Sequence, residues 1–337
     1  MCGLEDVEKI TLETTFRLNY PQYEILFCVA HYQDPAVQFL NDLIKRFSHV
    51  NARLLIGDSS LTLNPKLNNI IKGWSESIHE YVVLVDSNVV MTPDYLQQLI
   101  NTWDHETGLV CSPPVGSTPV GFWAEVECAF LNTYQARWQL AADSIGFGFA
   151  QGKSMLWRRG DLDKIGGISS LGRDIAEDAA ATKIVRECGK KVKLVTKPFL
   201  QLLGHRSFSQ IWYRQLRWAR LRRVTFPLYF IPELFSGSLF FLLSAIYLAS
   251  VLEPFYATIF FLGIFSLWFG LEALYAKVFG WHLSWISPIA WIARDLLIPV
   301  LWLFAWTGNN FTWRGNLIDM SDHKKASEPK LTMSFNP

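Results

Sequence analysis

Three aspartates, and after them a cluster of arginine and tryptophan, carry the chemistry this chain can do. Asp34 precedes Pro35 at the head of a helical stripe, Asp86 ends an apolar run, and Asp178 closes Ile175-Ala-Glu-Asp178. Arg214, Arg217 and Trp218 follow in Arg214-Gln-Leu-Arg-Trp218, just ahead of long apolar segments. Carboxylates suit a hard divalent cation carrying a diphosphate, and a single carboxylate suffices as a general base. Fixed guanidinium groups suit a departing phosphate. Together these types point to sugar transfer from a nucleotide, with the apolar tail bringing the acceptor to a membrane.

Each of these residues also has a plainer reading. Asp86, in Asp86-Ser-Asn88, is a candidate ligand for Mg2+ or Mn2+, or a turn carboxylate at a strand end. Asp34 can accept hydrogen bonds from uracil or ribose, or simply cap a helix. Asp178 is the expected base for an inverting transfer, while Glu177-Asp178 also reads as an acidic pair favoured by a helix dipole. Arg214, Arg217 and Trp218 are spaced i, i+3, i+4 and so share one helix face, suited to diphosphate oxygens with the indole closing the pocket. Arg220, Arg222 and Arg223 suit lipid headgroups instead. Lys66, in Asn64-Pro-Lys-Leu-Asn-Asn69, reaches a phosphate or lies in a solvated loop. His31, His205 and His282 show no metal-ligand spacing.

These residues need a scaffold, and the pattern supplies one. The runs at 23–30, 52–57 and 81–85 are of strand type; the last is continuously apolar, as expected of a parallel strand covered on both faces. Helical stripes begin at Asp34-Pro35 and Thr92-Pro93. Further helices are expected over 121–143, 175–188 (closed by Gly189 at C′) and 207–223, and a strand over 191–196. Strand and helix signals alternate, which predicts an α/β fold with a doubly wound, mostly parallel sheet whose ligands gather beyond the strand carboxyl ends, where Asp86 falls.

The chain has 337 residues, half of them hydrophobic, and a net charge of +1. That balance gives no field for nucleic acid. The apolar excess is concentrated in three segments, 228–251, 255–278 and 286–306, each near the length that spans a bilayer. Arg214 to Arg223 marks the adjoining flank as cytosolic. Three full spans put the tail outside, whereas Arg294-Asp295 between Pro288 and Pro299 fits a re-entrant hairpin. The expected domains are a cytosol-facing catalytic domain over 1–206, a basic amphipathic interfacial helix over 207–226, membrane helices over 227–306, and a tail over 307–337. Five cysteines (Cys2, Cys28, Cys111, Cys128, Cys188) without paired spacing read as reduced structural thiols.

Asn64-Pro-Lys-Leu-Asn-Asn69, Asp86-Ser-Asn88, Ile175-Ala-Glu-Asp178 and Arg214-Gln-Leu-Arg-Trp218 resemble the ceramide glucosyltransferase family, the membrane-bound inverting branch of the GT-A glycosyltransferases. The resemblance covers nearly the whole chain. It implies Asp34 and Asp86 as the first two conserved aspartates, Asp178 as the base, and Arg214, Arg217 and Trp218 as the terminal motif. It further implies UDP-glucose as donor, Mg2+ or Mn2+ at Asp86, and a lipid hydroxyl, of ceramide or diacylglycerol, as acceptor. Three departures stand out. Asn88 replaces a second aspartate of many GT-A enzymes, Gln135 stands where the animal enzymes carry histidine, and Met1-Cys-Gly3 falls just after the expected membrane helix and uridine-binding first strand. Two other classes compete. A processive polysaccharide synthase shares the tryptophan motif, though it usually opens with glutamine rather than Arg214. An inactive membrane scaffold would tolerate Asn88 and the absent strand.

Overall fold

The computed structural model describes residues 3–313 and 316–320; Cys2, and the predicted tail beyond residue 320, lie outside the described residues. The strands are β1 Ile25–Val29, β2 Ala52–Ile56, β3 Tyr81–Val85, β4 Thr107–Cys111, β5 Val115–Val120, β6 Ser154–Arg158, β7 Lys191–Leu194, β8 Leu200–His205, β9 Asn310–Trp313 and β10 Asn316–Asp319. Between the first eight run helices α1 Asp6–Thr14, α2 Ala36–Arg46, α3 Pro65–Glu76, α4 Tyr95–Thr102, α5 Phe122–Ala129, α6 Arg137–Ser144, α7 Arg159–Asp163 and α8 Glu177–Glu187, with α1 preceding β1. Helices α9 Phe208–Thr225, α10 Pro227–Phe230, α11 Ser238–Ala249, α12 Pro254–Val278 and α13 Ser287–Ala305 complete the order.

The fold is a mixed α/β one with a helical membrane region. Its centre is a four-stranded sheet in the order β3-β6-β4-β7, flanked by the parallel pairs β1-β2 and β5-β8. Side chains alternate across the central sheet as strand geometry requires. Leu84, Leu109, Cys111, Met155 and Trp157 face α3 and α8, while Val83, Val110 and Leu156 face α4. Covering both faces makes every central position apolar, which is why 81–85 reads as a parallel strand. Its neighbour β6 is nevertheless antiparallel to it and to β4. An apolar run reports burial on two faces, not the direction of the adjacent chain.

Local chemistry sets the helix ends nearest the strand edge. Asn64 caps α3 by accepting from Leu67 N at 3.0 Å, with Pro65 at the first position. At the far end of α8, Gly189 has φ +68, its N–H reaches Arg186 O, and Lys190 N–H reaches Val185 O. That is a Schellman close, and a side chain at Gly189 would be strained. Ser207 and Gln210 form a capping box at the start of α9. The helix expected over 121–143 is real but opens into a π-helical turn, Phe130–Ala136, between α5 and α6.

Helices α12 and α13 are long and apolar enough to cross a membrane, with mean hydropathy 1.8 and 1.6. The first expected span is broken: Pro227–Phe235 and Ser238–Ala249 meet at a 42° bend, and count as a third crossing only if taken as one span. α12 turns Ile259, Leu262 and Leu271 outward. α13 instead buries Ala290, Trp291, Ile298 and Leu301 in a core shared with Ile211, Leu216 and Ala219 of α9 and with Val126 and Ala129 of α5.

Arg294 and Asp295 are 1% and 2% exposed, so neither is at an interface. Arg294 pairs with Glu272 of α12 and with Asp295, and donates to Thr133 Oγ1 at 2.8 Å and Ala129 O at 3.3 Å in the opened helix. Asp295 Oδ2 accepts from Ser238 N at 3.0 Å, satisfying the first amide of α11 just after the bend. Charges inside an apolar bundle persist when paired in this way.

Candidate active site at the strand edge

Four chain segments converge beyond the carboxyl end of β3. Asp86 follows that strand, Gly152 and Lys153 lead into the antiparallel β6, Lys66 stands in the first turn of α3, and Glu177 and Asp178 open α8. Lys66 Nζ lies 2.8 Å from Asp86 Oδ1 and 2.7 Å from Glu177 Oε1, and also donates to Gly152 O. Lys153 Nζ lies 2.7 Å from Asp86 Oδ2 and 3.3 Å from Asn88 Oδ1. Asn64 Nδ2 holds the other Glu177 oxygen at 2.7 Å. A Cβ at position 152 would fall 2.6 Å from Glu177 Oε1 and 3.0 Å from Lys66 Nζ, so a larger residue there would have to push the ion pair aside.

These contacts separate the carboxyls by charge. Burial opposes ionisation of Asp86, but Lys153 and Lys66 outweigh it and hold the group well below the usual carboxylate range. Burial likewise opposes the Lys66 charge, and Asp86 and Glu177 more than offset it. Lys153 is lowered, by burial first, with the charges of Arg214 and Lys66 adding to it against Asp86. Asp178 goes the other way. Burial, reinforced by the Glu177 charge, pushes it up to about 6. Its Oδ2 accepts from Gly152 N at 3.0 Å and Oδ1 from Ala179 N at 2.8 Å, which fixes the carboxyl plane. A carboxyl so placed takes a proton near neutral pH, as a general base must.

Of the residues singled out in the sequence, Lys66 and Asp86 meet directly, and Asp178 joins them through Gly152, whose N–H donates to it and whose carbonyl accepts from Lys66. Arg214 stands at the margin, near enough for its charge to be felt at Lys153. Its guanidinium pairs with the fully buried Glu127 of α5, to which Arg206 also reaches at 3.6 Å. Trp218 packs on Cys128, Leu131 and Leu203, and Arg217 lies between the two on α9. Asp34 is held differently: it accepts from Ala36 N at 2.9 Å, as a carboxylate at a helix start does, and from Gly3 N at 2.8 Å, which ties it to the segment ahead of α1. The three arginines assigned to lipid headgroups have protein partners. Arg222 binds Glu233 through two bonds of 2.7 and 2.9 Å, Arg220 donates to Asn310 O at 2.6 Å, and Arg223 donates to Gly308 O at 3.4 Å.

Sequence reasoning missed Lys153 and Glu127. Glu127 carried a usable signal: with Glu125 it puts two charges among the small and apolar residues of 124–129, and a buried charge demands a partner. Lys153 had only its small neighbours Gly152 and Ser154 before an apolar run. The Mg2+ or Mn2+ expected at Asp86 does not fit the donor set as arranged. Both Asp86 oxygens and the Asn88 oxygen face ammonium groups, and among the described residues no three His, Cys, Asp or Glu side chains gather to hold an ion.

The α/β domain that carries this site is of GT-A-like build and packs onto helices long and apolar enough to cross a membrane. Residues 1–326 match the family described as Glycosyl transferase family 21, and the chain belongs to it. It is 28% identical over 337 residues to Ceramide glucosyltransferase 3 of Caenorhabditis elegans, across 95% of this chain and 71% of that one. It is 26% identical over 326 residues to Ceramide glucosyltransferase 1 of the same organism, across 92% and 68%. With the Ceramide glucosyltransferase of Komagataella phaffii it shares 26% over 279 residues, across 66% and 55%.

Proposed function

We propose that this protein moves glucose from UDP-glucose onto the hydroxyl of a membrane lipid, ceramide or a diacylglycerol-like alcohol, with inversion at the anomeric carbon. The observation that carries the reading is Asp178, one carboxyl raised to about 6 beside a cluster of fixed cations. In this reading the lipid hydroxyl gives its proton to Asp178 as its oxygen bonds to the anomeric carbon. The bond from that carbon to the phosphate oxygen breaks on the opposite face, and UDP leaves with the electron pair. One base and one displacement give inversion. The relatives' shared name supports glucose and ceramide. The arginine-rich α9 ahead of the apolar helices supports a catalytic domain on the cytosolic side.

The test is product mass. Solubilised protein given UDP-glucose and ceramide should yield a lipid heavier by one hexose, and diacylglycerol should serve as a second acceptor if the pocket reads only two acyl chains. A ladder of polymer lengths would overturn the reading in favour of a polysaccharide synthase. No product and no UDP binding would overturn it in favour of a scaffold.

A further inference from the structure

Lys153 occupies the place where the Asp86-Ser-Asn88 turn would hold a cation. Its Nζ is 2.7 Å from Asp86 Oδ2 and 3.3 Å from Asn88 Oδ1, the side-chain oxygens that Asp86 and Asn88 would turn toward an ion on that side. The remaining Asp86 oxygen is taken by Lys66 at 2.8 Å. The backbone secures the same arrangement: Asp86 N donates to Lys153 O at 3.0 Å, and Ser154 is in register with Val85. The lysine side chain is only 19% exposed. A divalent ion entering here has to displace a tethered ammonium and then sit beside it, where like charges repel.

The two lysines differ in what they have left to give. An ammonium has three N–H donors. Those of Lys66 go to Asp86, Glu177 and Gly152 O, so Lys66 braces the turn rather than meeting a phosphate. Lys153 gives two, to Asp86 and Asn88, which leaves a third donor among the described residues, in the field of Arg214. Lysine binds phosphate as a point charge, the same service a metal ion renders.

We propose that Lys153 replaces the divalent cation: its ammonium, with Arg214, holds the donor diphosphate, and donor binding needs no added metal ion. The proposal rests on the UDP-sugar reading above. Calorimetry of UDP-glucose on the solubilised full chain, in EDTA and then in Mn2+, tests it together with Mn2+ electron paramagnetic resonance without nucleotide. The wild type should bind equally in both media and leave Mn2+ free. Lys153→Met should weaken binding in EDTA by about tenfold or more, regain it with Mn2+, and immobilise Mn2+ at the vacated carboxylate. Lys153→Arg should stay independent of the ion. Wild-type binding that vanishes in EDTA and returns with Mn2+ overturns this proposal alone, and needs no variant to fold. So does unchanged binding by Lys153→Met in EDTA. Absence of UDP-glucose binding in every medium overturns the functional reading as well.

Discussion

The chain contains two clusters of opposed charge, and they are built to different ends. At the strand edge, Asp86 and Lys153 are 26% and 19% exposed, and Asp178, which feels the Lys66 charge, forms no ion pair among the described residues. Between the membrane helices, Arg294, Glu272 and Asp295 are 1–2% exposed and every strong donor has an acceptor. Pairing alone therefore does not mark a site. Access differs: the outer cluster is partly open, as proton exchange and anion binding would require, whereas the inner one closes on itself and ties α12, α13, the start of α11 and the opened helix together.

Three perturbations sharpen that contrast. The largest effect is expected from Asp178→Asn, which should lower transfer by roughly 10²–10⁴ while UDP-glucose still binds, as read by single-turnover kinetics and calorimetry. Undiminished transfer would remove Asp178 as the base. Arg294→Met should act on stability, not chemistry. It strands two buried carboxylates and should cost about 3–5 kcal/mol, seen as a lowered melting midpoint in detergent. Adding Glu272→Leu should recover part of the loss, because removing a buried pair is milder than breaking one; further loss would mean the pairing contributes little. The gentlest is pH. As a base Asp178 must be ionised, so kcat/KM should rise with pH to a plateau, with the limb centred near the value of about 6 set by burial and Glu177. Because its folded-state pKa lies above the ordinary value of 3.8, the native state holds that proton longer than the unfolded chain, and stability should fall as pH rises between 3.8 and about 6. A limb near 4 would detach the reaction from this carboxyl.

The features legible in the sequence were those fixed within a few residues. Asp34-Pro35 and Thr92-Pro93 announced helix starts, Gly189 the close of α8, and the carboxylates at 86 and 178 their place at element ends, because caps and turns are settled locally. Asn64-Pro-Lys66, by contrast, read as a polar cluster or solvated loop and is the capped first turn of α3. What escaped depended on partners distant in the chain. The antiparallel direction of β6 is set by how the chain returns after α6, which no period in 154–158 records. Lys153 matters only through Asp86, 67 residues earlier. Arg220, Arg222 and Arg223 looked like a basic face for lipid because charge composition does not show that Glu233, Gly308 and Asn310 fold back onto them. The expected first membrane span had the right hydropathy, yet it bends where Asp295 receives the Ser238 amide.

The shared core of α13 with α9 and α5 has a mechanical consequence. A domain hung on a loose tether would wander above the lipid surface, and its tilt would mean nothing to its chemistry. Here α9, which carries Arg214 and Trp218, packs with Trp291, Ile298 and Leu301 of α13, a helix long and apolar enough to cross a membrane. A tilt of α13 would be passed to α9 through that packed core rather than through a linker.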